Sequence, residues 1–148
     1  MHRGNGAEPD TLDPHLATGH WEGSIINDIF VGLFTKGEDG SSIKGSVDNY
    51  SKSDNGLVYT FNLRKDHFWS DGIKVTAEDY VNGFRRVLNP ATASQYGSLL
   101  YLIKNAYDVN SGKLKPESLG VKEISEFTLE ITLNYPAPYF EELLTHYT

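Results

Sequence analysis

Tyr59-Thr60-Phe61-Asn62-Leu63-Arg64-Lys65-Asp66 runs into Phe68-Trp69-Ser70-Asp71-Gly72 and then Val75-Thr76-Ala77-Glu78-Asp79-Tyr80-Val81. Leu57, Tyr59, Phe61 and Leu63 alternate with Val58, Thr60 and Asn62. A period of two residues puts the first set on one face, so the stretch predicts a half-buried strand. Asp71-Gly72 predicts a tight turn. Thr76 and Asp79 stand at capping-box spacing, which predicts a helix to about Leu88 with Ala77, Val81, Phe84 and Leu88 inward. Trp69 is expected to pack as core over the strand end, with Arg64 or Lys65 nearby. Strand, turn and capped helix within one short stretch already point to a mixed class.

Outward from this stretch, Asp54-Asn55-Gly56 reads as a turn that lets Val47–Tyr50 pair with the strand. Residues 5–23 are rich in Gly, Pro and His and read as extended and irregular. Ser24 is placed to cap a helix to about Phe34, in which Ile25, Ile29 and Leu33, widened by Ile26 and Phe30, form a core-facing stripe. Glu38-Asp39-Gly40-Ser41-Ser42 is a turn. Asn89-Pro90 ends the capped helix, and a further helix is expected from Gly97 to Asn110, stopping near Gly112. Val121–Ile124 and Thr128–Leu133 read as a hairpin joined by Ser125-Glu126-Phe127. Pro136-Ala137-Pro138 breaks the chain, and Tyr139–His146 opens one more helix. The class is α+β, with antiparallel hairpins packed against helices. The two ends read as unfinished, Met1-His2-Arg3-Gly4 lacks the features of a leader, and the chain is expected to be a piece of a longer protein.

The 148 residues carry a net charge of -7 and contain no cysteine. An acidic surface repels polyanions, so nucleic acid and anionic membranes are poor partners. Without cysteine there is no disulfide, thiolate metal site or cysteine nucleophile. Five histidines raise the metal question, but His15 and His20, with Asp13 and Glu22 beside them, match no standard zinc spacing. Asp66, Asp71 and Glu78 are the carboxylates to weigh for acid–base work, and turn and helix-start roles account for Asp71 and Glu78. Asn49-Tyr50-Ser51 matches the glycosylation acceptor pattern and carries no weight at that length. No catalytic constellation, metal set or cofactor motif emerges, and the residues taken alone give no function.

Several segments in order carry a resemblance. Gly6-Ala7-Glu8-Pro9-Asp10-Thr11-Leu12-Asp13-Pro14-His15, Asp28-Ile29-Phe30-Val31-Gly32-Leu33, the opening stretch with Trp69-Ser70-Asp71-Gly72, Asn89-Pro90 with Thr92-Ala93-Ser94, and Leu129–Leu133 with Pro136 and Pro138-Tyr139-Phe140 together resemble the N-terminal part of the oligopeptide and dipeptide solute-binding proteins of family 5, which serve ABC importers. The resemblance implies part of a periplasmic-binding-protein type II-like fold, with residues 1–30 starting the first lobe domain and residues 31–148 forming the small second domain. It implies a monomeric, non-enzymatic, periplasmic or otherwise extracytoplasmic protein, with or without a lipid anchor, that needs no cofactor. Its partners would be a peptide and the membrane permease subunits of the importer. Relatives on the same scaffold that bind nickel complexes, oligosaccharides or murein peptides are the alternatives, and a ligand-sensing domain of a regulator is another. Carried over by residue, Thr18, Gly19 and His20 sit where the family offers main-chain groups to the peptide, and Tyr96 aligns with a tyrosine near the ligand. The chain departs from the well-known oligopeptide binders at Thr18, where they carry an acidic residue, and His20-Trp21 is bulkier than expected.

Overall fold

A computed structural model describes residues 6–147; Met1 to Asn5 and Thr148, and with them the reading of Met1-His2-Arg3-Gly4, lie outside the described residues. The middle of the molecule is strand β4 (Val58–Leu63), flanked by β3 (Val47–Lys52) and β6 (Thr128–Thr132), with β5 (Val121–Ser125) beyond β6. All neighbours in this four-stranded sheet run antiparallel. Alternation decides its inner face: Tyr59, Phe61 and Leu63 are buried, while Asn62 between them is exposed. Across the ladder Tyr59 stands opposite Ile131 and Phe61 opposite Leu129, so one face gathers the large apolar side chains. A ring cluster continues from it, with Phe140 edge-on to Tyr59 at 4.9 Å and Phe34 edge-on to Phe61 at 6.1 Å. The α+β class expected from the sequence is the observed one.

Helix α2 (Ala77–Val87) packs on β5 and β6. Its start follows the capping-box reading: Asp79 Oδ2 accepts from the Thr76 N–H at 2.7 Å and from the Thr76 hydroxyl at 3.0 Å. The Ala77 N–H donates to Glu126 O at 2.8 Å, which fastens the helix to the β5–β6 turn. Ala77, Val81 and Leu88 are buried and Phe84 is partly so. The Asp39–Ser42 region joins two short strands not read from the sequence, β1 (Phe34–Lys36) and β2 (Ser42–Lys44).

Three expectations are corrected. Helix α1 spans His20–Ile29, not Ser24 to Phe34; Gly19 precedes its first residue, and Ser24 lies inside it, donating to His20 O at 3.1 Å. Of the expected stripe only Ile26 is fully buried within the helix, while Ile29 is 57% and Phe30 41% exposed. The apolar spacing runs on past the helix end, and Leu33 is buried from the extended chain that leads into β1. The helix expected from Gly97 to Asn110 is broken into a 3-10 turn at Gly97–Leu100 and a short helix α3 (Ala106–Asn110). Ile103 bridges Leu133 at the sheet instead, and Asn105 takes a positive φ of 65° while its Nδ2 donates to Ser118 O.

Trp69 is the third correction. Its turn is as read: Gly72 has φ 86° and its N–H meets Trp69 O at 2.9 Å, with Asp71 Oδ1 accepting from the Ile73 N–H. The ring, however, is 41% exposed, beside Phe68 at 55% and Ile73 at 64%. Arg64 does not cover it but grips Asp66 with two hydrogen bonds, and Lys65 lies over the Phe127 ring. The last helix, α4 (Phe140–Leu143), is a single turn whose Phe140 fills the core.

These burials make a comparative expectation. Phe61→Ala removes a fully buried ring and should cost about 3–5 kcal/mol, whereas Trp69→Ala should cost well under half of that. Denaturant melts of both variants check it, and equal losses would contradict the assignment of Trp69 to the surface.

Candidate functional site

The segment before α1 is a chain of small turns anchored by Asp13. The Leu16 and Ala17 N–H groups both donate to Asp13 O, and the His15 N–H donates to Asp13 Oδ1 at 3.0 Å. From the last turn of α2, Arg86 grips both oxygens of Asp13, and its Nη1 meets His15 Nδ1 at 2.8 Å. The bidentate geometry fixes orientation as well as contact. Arg86 holds the Asp13 carboxyl below the usual carboxylate range. Burial, and next the Arg86 charge, push the His15 imidazole below its ordinary value.

Two tyrosines grip the chain just beyond. The Tyr96 hydroxyl donates to Thr18 O at 3.0 Å, and the Tyr147 hydroxyl donates to Ala17 O at 3.3 Å. The rings of Tyr96, His146 and Tyr147 stand together: Tyr96 is edge-on to His146 at 5.0 Å, and His146 stacks on Tyr147 at 4.6 Å. Burial keeps the His146 imidazole below its ordinary value, so at neutral pH it is uncharged.

Gly19 lies against the Glu22 carboxylate, which a side chain at position 19 would have to displace. A Cβ there would lie 1.9 Å from Glu22 Oε2. Glu22 is buried, and its Oε1 accepts from the Asp10 N–H at 3.1 Å. That N–H, followed by the residue's own, holds its carboxyl below the ordinary range.

Thr18, Gly19, His20 and Tyr96 thus come together. With Gly23, Ser24, Asn27, His146 and Tyr147 they line one open cleft of about 380 Å³. Its wall holds hydroxyls, amides, imidazoles and phenol rings, and no Asp, Glu, Lys or Arg. Sequence reading names Ser24 only as a helix cap and does not single out Asn27, His146 or Tyr147 as site residues, which no local motif marks. His15 is turned to Arg86 and lies outside this cleft, and among the described residues no three His, Asp or Glu side chains gather as a metal set.

A larger groove of about 620 Å³ adjoins the cleft and shares Asn27, Tyr96, His146 and Tyr147 with it. Phe30, Val31, Phe68 and Trp69 give it an apolar rim. Its polar groups are turned to one another: Ser46 Oγ lies 3.2 Å from His67 Nδ1 and donates to Val31 O, and the Tyr80 hydroxyl, pushed up to about 12 by burial, reaches Ser46 too. No carboxylate completes a triad there, because Asp66 is held by Arg64 and Asp79 by Thr76. Size favours the groove, but the smaller cleft is the one lined by Thr18, Gly19 and His20, and its hydroxyls of Tyr96, Tyr147 and Ser24 are spent on carbonyls of the segment from Ala17 to His20.

Comparison with known proteins gives a consistent result. The family model for bacterial extracellular solute-binding proteins, family 5 middle, matches residues 11–148. The periplasmic oligopeptide-binding protein OppA of Escherichia coli (strain K12) is 43% identical over 146 residues, covering 97% of this chain and 27% of that protein. The periplasmic murein peptide-binding protein MppA of the same strain is 37% identical over 142 residues, 95% of this chain and 26% of its own length. Among solved structures, Haemophilus influenzae OppA in complex with the peptide RPPGFSPFR superposes with a TM-score of 0.93 at 38% identity, over 97% of this chain and 28% of that one. The chain therefore spans about a quarter of the length of these relatives.

The half-buried imidazoles of His15 and His146 set a pH dependence. Below the ordinary value of 6.5 the unfolded chain takes up protons that His15 and His146 refuse in the fold, so stability falls as pH drops. A second loss follows below 3.8, where Asp13 is protonated in the unfolded chain first. His15→Gln should make the fall in melting temperature shallower between about pH 6.5 and 5 while leaving the His146 part. A melting series indistinguishable from the unsubstituted chain would contradict the role given to His15.

Proposed function

Because the chain belongs to the bacterial extracellular solute-binding proteins of family 5, we propose that its cleft is one wall of a peptide-binding site. The complete protein would capture peptides outside the cytoplasm and deliver them to the membrane subunits of an ABC importer. Residues 1–30 would begin its first lobe domain and residues 31–148 make up its small second domain. The observation that carries the reading is the convergence of Thr18, Gly19, His20 and Tyr96 on one cleft. A peptide is recognised there through what all peptides share. Main-chain groups of Thr18–His20 meet the ligand's main chain, as in strand-type recognition, and Tyr96 holds the segment at Thr18 O while its ring flanks the ligand.

The absence of fixed charge in the lining suits tolerant recognition, since no ligand side chain is selected or rejected by a buried ion. Thr18 in place of an acidic residue works in the same direction. A murein peptide is the second reading, favoured by the likeness to the murein peptide-binding MppA of Escherichia coli. It uses the same wall, because a murein peptide also brings peptide carbonyls.

His20 offers a clean test because it is the first residue of α1, where proline is tolerated, and Gly19 before it is extended at φ -92° and ψ 157°. His20→Pro deletes an N–H without breaking the helix. In the complete protein, peptide affinity should fall by about 1–3 kcal/mol in His20→Pro and change little in His20→Ala, with both melting temperatures preserved. Calorimetric titration with mixed short peptides measures this. Binding abolished by alanine and untouched by proline would transfer recognition to the imidazole and overturn the main-chain reading.

A further inference from the structure

Tyr147 stands outside every motif named so far, yet it touches the segment on which the peptide reading rests. Its hydroxyl donates to Ala17 O, and its ring lies where a side chain on Gly23 would stand, 2.9 Å from that ideal Cβ. It stacks on His146 and meets Tyr96 edge-on at 6.2 Å. The next carbonyl, Thr18 O, is held by Tyr96; Gly19 O accepts from the Gly23 N–H at 3.1 Å and His20 O from Ser24 Oγ at 3.1 Å. Every carbonyl from Ala17 to His20 therefore has a donor from the protein itself. Among the described residues, the N–H groups of Thr18, Gly19 and His20 have no such acceptor.

These contacts matter because little else seats the segment. Ala17 and Ile26 are buried but are not part of the main apolar cluster, which starts at Leu33. Hydroxyl-to-carbonyl bonds and the Arg86 grip decide where the segment stands relative to the sheet. Directional bonds of this kind fix peptide planes, whereas apolar contact tolerates sliding.

We infer that Tyr147 is a positioning residue of the peptide site: together with Tyr96 it turns the carbonyls of Ala17 and Thr18 into the protein, so that the segment offers donors and the ligand must supply a peptide carbonyl. This rests on the peptide-binding reading above. Tyr147 touches no ligand in this account and acts through the direction in which the Thr18 N–H points, because that N–H shares a peptide plane with Ala17 O.

The test uses the complete protein and Tyr147→Phe, which keeps the ring against Gly23 and removes only the hydroxyl. Affinity for mixed short peptides should fall about 5- to 10-fold with the melting temperature held. The effect should also be coupled to position 18, whose N–H shares a peptide plane with Ala17 O. In the Tyr147→Phe background, Thr18→Pro should weaken binding by a smaller factor than it does alone, because the N–H it deletes is no longer well aimed. A purely structural role for the ring would give factors that multiply independently, and that result, or unchanged affinity in Tyr147→Phe, overturns the inference. Hydrogen exchange separates this failure from failure of the peptide reading. If the unsubstituted protein binds no peptide, the reading above is refuted. The positioning claim then stands or falls on whether the Gly23 amide, bonded to Gly19 O, exchanges several-fold faster in Tyr147→Phe.

Discussion

The register of β4 against its two neighbours is the constraint on which the rest of the molecule depends. Tyr59, Phe61 and Leu63 enter the core from one face of that strand, opposite Ile131 and Leu129 of β6 and beside Tyr50 of β3. A slip of one residue would turn all three outward and bring Thr60 and Asn62 inward, so the pairing has one workable register. That register sets where β5 and β6 lie, where α2 can pack on them, and so where Arg86 emerges at the end of α2. It also sets the seat of Phe140 and, through α4, the place of His146 and Tyr147. The side chains that hold the segment before α1 thus hang from a sheet that tolerates little adjustment.

The segment itself is built on a different principle. Residues 10–20 contribute little to the main apolar cluster and are held by directed polar contacts: Arg86 to Asp13, Tyr96 to Thr18 O, Tyr147 to Ala17 O and Asp10 to Glu22. The Arg86–Asp13 pair is half-exposed at the arginine and so adds about 0.2–1 kcal/mol to stability. Its main effect is on geometry. A recognition surface for the main chain of a ligand has to place N–H groups with hydrogen-bond accuracy, and hydroxyls aimed at successive carbonyls achieve that without enclosing the cleft.

What the sequence disclosed followed from local physics. Period-two alternation at Leu57–Leu63 and Leu129–Leu133 marked the inner strands, and the Thr76–Asp79 box marked the start of α2, because the signal and the structure lie in the same few residues. Boundaries failed where the signal was absent or misleading. Gly19 has no side chain to announce a helix start, so Ser24 drew the assignment. The Gly97–Asn110 stretch has helical spacing, but Ile103 is drawn into a bridge with Leu133, a partner no local window contains. Trp69 was assigned to the core because a large ring beside a strand end usually packs there; the turn instead turns it toward solvent. At the cleft, Thr18 and Tyr96 came from family resemblance, and their hydrogen bond joins residues 78 apart. Tyr147 and Glu22 became visible only in three dimensions, since their partners lie in segments that no sequence pattern relates.

A crystal structure of the complete protein soaked with trialanine tests the central claim most directly, because it shows which wall the peptide uses. The account predicts a ligand carbonyl within about 3 Å of the His20 nitrogen, with the Tyr96 ring alongside and the Tyr96–Thr18 bond intact. A peptide seated in the apolar groove between Phe30 and Trp69, with none of its main chain in reach of Thr18, Gly19 or His20, would contradict it.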